Sequence, residues 1–144
     1  MSDPCIVGRL GGEKAIGVYV HVDGTPEAIL DRLGRIMARD GIETTLTTLT
    51  SRSYGWAYLW PELDDGDAET NLGLPLHKGR VIPGYGFSYT IGPRMNHYTL
   101  DDARSHPLIG WAYFLDPAGG DIHWYDTRPG APTAGHVVTV WSRS

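Results

Sequence analysis

One nine-residue stretch, Val18-Tyr19-Val20-His21-Val22-Asp23-Gly24-Thr25-Pro26, constrains the fold more than any other part of the chain. Apolar and polar residues alternate with period two, so a strand would put Val18, Val20 and Val22 on one face. Tyr19, His21 and Asp23 would fall on the other. Gly24 then permits a sharp turn, Thr25 is a residue type that caps helices, and Pro26 suits a first helical position. A half-buried strand must therefore run directly into a helix. Its polar face is delivered to the free N–H groups of that helix.

The helix itself is expected over 26–40. Ile29, Leu33, Ile36 and Met37 recur at helical spacing, Leu30 widens the stripe, and Gly41 supplies a stop. Arg32, Arg35 and Arg39 gather on another face, with Asp31 placed to pair with Arg35. Such a face is either a solvated surface or a contact for an acidic partner. Residues 42–50 mix helix spacing (Ile42, Leu46, Leu49) with threonines that favour strands, and the shared face of Leu46 and Leu49 tips the reading to helix.

The rest of the chain is punctuated by turns. Nineteen glycines, eight tyrosines and five tryptophans in 144 residues suggest a sheet-rich fold with short connections. Cys5 to Leu10 and Ala15 to Val22 flank Gly11-Gly12 and are expected to form a hairpin. Gly110 to Asp116 and Asp121 to Asp126 form a second, around Pro117-Ala118-Gly119-Gly120. Shorter strands are expected over 54–60, 86–90 and 137–141. Thr99-Leu100-Asp101-Asp102 matches a capping box opening a short helix that Pro107 ends. Gly55-Trp56-Ala57-Tyr58-Leu59 echoes Gly110-Trp111-Ala112-Tyr113-Phe114, but the flanks do not match and no repeat is inferred. The expected fold class is α+β: an antiparallel sheet built from hairpins, the 26–40 helix packed on one face, and one or two short helices, all in a single domain over 1–144.

Charge and composition exclude several classes. The formal net charge is -5, which argues against a general nucleic-acid binder. The lone Cys5 cannot form an internal disulfide or a cysteine-based zinc site. No apolar run approaches the roughly 20 residues of a membrane span, and Met-Ser-Asp-Pro does not resemble a secretory signal. The acidic run 62–69 lacks the spacing of a calcium loop. His97, His106 and His123 share no zinc-ligand spacing, and there is no phosphate-binding glycine loop, so neither metal nor cofactor is expected.

Two readings of the strand-to-helix motif remain. His21 and Asp23, two apart on a strand, could act as a general base or as two ligands if His97 or His123 supplied a third group. Alternatively Asp23 accepts the N–H groups that open the helix, and His21 packs beside Tyr19. No nucleophile has an activating context, so no catalytic residue is assigned. The candidate binding residues are Tyr19, His21, Asp23, Gly24 and Trp124, the last because tryptophan is enriched at interfaces.

The first motif, with Thr99-Leu100-Asp101-Asp102-Ala103-Arg104 and with Trp111-Ala112-Tyr113-Phe114-Leu115-Asp116 closing on Ile122-His123-Trp124-Tyr125, resembles a family of small proteins of actinobacteria and their phages. That family carries Tyr-x-His-x-Asp-Gly-x-Pro entering a helix and a late Trp-x-Tyr hairpin. This chain has Val22 where the family pattern has an aromatic residue. The resemblance implies a cytoplasmic protein of a bacterial host, encoded by a phage, and supplies no activity. The expectation is a non-enzymatic binding protein acting on a host protein. The alternative is a small-molecule binder or hydrolase using the His21/Asp23 strand face.

Overall fold

The computed structural model describes residues 3–11, 16–52, 54–63, 79–90 and 98–139. Among them run β1 (Cys5–Arg9), β2 (Ile16–Val20), α1 (Pro26–Asp40), α2 (Ile42–Thr50), β3 (Trp56–Leu59), β4 (Gly79–Ile82), β5 (Gly86–Tyr89), β6 (Tyr98–Thr99), α3 (Leu100–Ser105), β7 (Trp111–Asp116), β8 (Asp121–Asp126) and β9 (His136–Val138). The class is α+β. The strands form one sheet in the order β4-β5-β3-β2-β1-β7-β8-β9, with β6 paired to β2 off that path.

Both expected hairpins form, β1 with β2 and β7 with β8. The sheet as a whole is mixed, which corrects the expectation of an antiparallel one: β7 runs parallel to β1, and β3 parallel to β2. Turn residues fix only local antiparallel pairs. Parallel neighbours are joined by long crossovers whose ends meet through packing. The echoed segments Trp56–Leu59 and Trp111–Asp116 take equivalent places, each parallel to one strand of the central hairpin. Trp111, Cys5, Val20 and Trp56 thereby form a row across four adjacent strands.

α1 and α2 cover one face of this sheet. Ile29, Leu33, Ile36, Met37, Leu46 and Leu49 bury against Cys5, Val7, Val18, Val20 and Trp56. Thr45, which strand propensity had made ambiguous, is buried in α2, where its hydroxyl finds a partner by donating to Gly41 O at 2.7 Å. The opposite face carries a smaller core of Ile6, Ala103, Ile109, Ala112 and Phe114, beneath α3. The capping box of α3 is complete: Asp102 N–H donates to Thr99 Oγ1 at 3.1 Å, and Thr99 N–H donates to the Asp102 carboxylate at 2.9 Å. β4 was not expected, because Gly79-Arg80-Val81-Ile82 has no alternating pattern; it is the edge strand beside β5. Most of the acidic run, His97 and Trp141 lie outside the described residues. Among the described residues, no helix is long and apolar enough to cross a membrane.

Candidate functional site

Beyond Val20 the strand ends and the chain bends at Val22, still bonded to the parallel strand β3. His21 N–H donates to Trp56 O and Val22 N–H to Ala57 O, both at 2.9 Å. Side-chain alternation sends Val18 and Val20 under the helices and Tyr19 to the opposite face, beside Tyr98. The outer edge of β2 is thus shared between two strands. β6 takes its first residues, Ile16 and Gly17, and β3 takes its last, Val20.

Rings collect at this fork. The Tyr19 hydroxyl and His21 Nδ1 are hydrogen-bonded at 3.1 Å, with ring centroids 5.8 Å apart. Tyr98 lies 6.2 Å from Tyr19, and His106 meets Tyr98 edge-on at 6.0 Å. Leu108 N–H donates to His106 Nδ1 at 3.1 Å, which places the proton of the neutral ring on Nε2. Burial, with lesser contributions from the neighbouring Tyr98 and Tyr89, pushes the Tyr19 phenol up to about 12. Tyr19 therefore stays protonated at neutral pH. Its hydroxyl donates to His21 Nδ1 in the tautomer that carries the ring proton on Nε2, and accepts in the other. Tyr19, His21, Tyr98 and His106 are all partly exposed.

Asp23 does not join this group. Its φ is 61°, the one left-handed non-glycine residue among those described. The turn aims its carboxylate at Arg32 of α1, 3.2 Å away. Arg32 also donates to Leu59 O at 3.1 Å and lies 4.8 Å from the Trp60 ring centroid. The expected capping of α1 by Asp23 is replaced by this ion pair, and Thr25 at the N-cap makes no side-chain bond. The expectation that His21 and Asp23 share a face rested on an unbroken strand, and the left-handed turn at Asp23 breaks it.

Gly24 is buried and holds structure together. Its N–H donates to Asp3 O at 2.8 Å, and its carbonyl accepts the buried Tyr113 hydroxyl at 2.7 Å. A β-carbon there would lie 2.3 Å from Asp3 O and 2.8 Å from Cys5 Cβ, so only glycine fits. Trp124 lies on the other face of the sheet. It packs against the main core, stacks on Tyr113, and has the His136 ring 4.2 Å away. Its indole Nε1 is buried without a hydrogen-bond partner among the described residues.

Of the expected residues, then, the fold keeps Tyr19 and His21 together, turns Asp23 to the helix, buries Gly24 and sends Trp124 elsewhere. His123 is not a third group for His21. It lies on β8, three strands from β2, or about 14 Å at the usual strand spacing. It stands with Asp116 and Asp121 instead, the one group of side chains among the described residues with donors close enough to hold a cation. Tyr98 and His106 were missed, since the capping box signals a helix after Tyr98 but not which strand Tyr98 pairs with. Cys5 is fully buried and desolvation pushes its thiol up, which makes it inert.

Compared with protein-family models, curated proteins and solved structures, the chain shows no significant match.

Proposed function

We propose that this protein works by binding a partner protein, without turnover, through the ring cluster at the β2 fork. The carrying observation is the half-open set Tyr19, His21, Tyr98 and His106, joined by ring contacts and by the Tyr19–His21 hydrogen bond. Rings anchored in this way offer contact area at low entropic cost. Leu108, 65% exposed and bonded through its N–H to His106, extends the apolar area. The net charge of -5 favours a basic partner surface. A host protein, the partner implied by the family resemblance, fits this reading.

A second reading, a small-molecule binder or hydrolase, draws support from the Tyr19–His21 bond alone, because Asp23 is engaged by Arg32. A photo-crosslinking residue placed at position 98, and as a control at the exposed Glu43 on the other face, separates the two. Binding predicts a protein adduct from position 98 that is absent from position 43 and is weakened by Tyr19→Ala. Equal adducts from both positions would sink it. A tightly held small molecule, lost in His21→Ala while the fold persists, would promote the second reading.

A further inference from the structure

The β7–β8 hairpin carries a group of side chains that the ring cluster does not use. Its register sets Asp116 directly opposite Asp121, and Phe114 opposite His123. Alternation puts Asp116, Asp121 and His123 on one face of the sheet. One donor atom from each lies within 4.8 Å of the other two.

Two carboxylates face each other at this tip. Like charges directly opposite across an antiparallel pair are destabilising. The ion pairs found elsewhere match carboxylates with arginines, as in Arg9–Glu43, Arg32–Asp23 and Arg128–Asp126. Among the described residues, which include neither lysine of the chain, no arginine pairs with Asp116 or Asp121, and the His123 ring makes no hydrogen bond.

The two carboxylates are also oriented. Ala118 N–H donates to Asp116 Oδ1 at 3.0 Å, and the Thr139 hydroxyl donates to Asp121 Oδ1 at 2.8 Å. Each Oδ1 is thereby fixed, and both Oδ2 atoms converge on Gly119. A β-carbon at 119 would lie 3.0 Å from Asp116 Oδ2 and 3.2 Å from Asp121 Oδ2. Glycine keeps that space clear.

We propose that Asp116, Asp121 and His123 form a binding site for a divalent transition-metal ion. Two carboxylates and an imidazole suit zinc or manganese, whereas calcium and magnesium prefer oxygen donors alone. Donors about 2.0–2.2 Å from one ion sit about 3–3.6 Å apart, so modest side-chain rotation closes the set. Three protein ligands leave further coordination positions for water or a ligand. The hydrogen bonds from Ala118 and Thr139 hold the carboxylates as outer-shell partners do at known metal sites.

The test is calorimetric titration of the tag-free full chain with zinc chloride, and separately with manganese, magnesium and calcium chlorides. Saturable one-to-one binding of zinc or manganese is expected, with a rise in Tm. Asp121→Asn and His123→Ala should each weaken it at least about tenfold. His136→Ala, a histidine outside the set, should leave it unchanged. Circular dichroism checks that each variant is folded; if Asp121→Asn is not, His123→Gln serves in its place. No saturable binding up to about 1 mM, binding of magnesium or calcium only, or binding that survives loss of His123 would overturn the site.

Discussion

Asp23 shows how one backbone angle decides a side chain's role. A left-handed φ costs an ordinary L-residue about 1–2 kcal/mol, and aspartate, asparagine and glycine tolerate it best. Its ion pair with Arg32 is partly open to solvent, Asp23 being 45% exposed, and such pairs contribute about 0–1 kcal/mol. Asp23→Gly and Asp23→Asn should therefore stay within about 1 kcal/mol of the parent. Asp23→Ala should lose about 1–2 kcal/mol in chemical denaturation. Equal losses for Asn and Ala would shift the weight from backbone conformation to the Arg32 pair. The carboxylate was legible in the sequence as a polar residue at a turn. Its left-handed angle was not, because the next turn of chain had first to be tied by Gly24 to Asp3 and Tyr113.

Helix α1 was legible almost residue by residue, since its apolar spacing and its Pro and Gly boundaries are local. The use of its arginine face was not. Arg32 donates to Leu59 O, and Arg39 to Pro61 O and Gly84 O, so the helix clamps the exit of β3 and the β4–β5 turn. Only Arg32, 13% exposed, is drawn into the fold; Arg35 and Arg39, 46% and 42% exposed, keep the solvated surface expected of that face, and Arg35 makes the expected pair with Asp31. Asp40, the last residue of α1, belongs to the clamp. Arg39 beside it, and the Tyr85 hydroxyl donating at 2.6 Å, hold its carboxyl down to about 2. A carboxyl with a lowered folded-state pKa stabilises the fold fully above its unfolded value of about 4. That contribution is lost as pH falls towards 2, because the unfolded chain takes up the proton first. Asp40→Asn should accordingly flatten the fall in stability between about pH 4 and pH 2. Denaturation midpoints across that range measure it, and parallel acid limbs in parent and variant would contradict it.

At the scale of the whole molecule, the central strand β1 holds the one cysteine. Cys5 is fully buried in the row Trp111–Cys5–Val20–Trp56, with strands on both sides and the helices above. Its thiol should react with a disulfide reagent only through opening of the sheet, and at the rate of a free thiol once denaturant is added. Fast reaction in the native protein would show that β1 frays locally. What the sequence by itself determined were features set within a dozen residues. These are the α1 stripe, the α3 capping box, the two hairpins and, through the Pro117–Gly120 turn, the pairing of Asp116 with Asp121. Only the tertiary structure decided that β7 lies along β1 and β3 along β2, that Tyr98 stands beside Tyr19 with His106 against Tyr98, and that Trp124 lies on the other face. The reason is physical: a turn closes a local pair through its own backbone angles, whereas distant segments meet only when packing of the whole core repays the entropy of joining them.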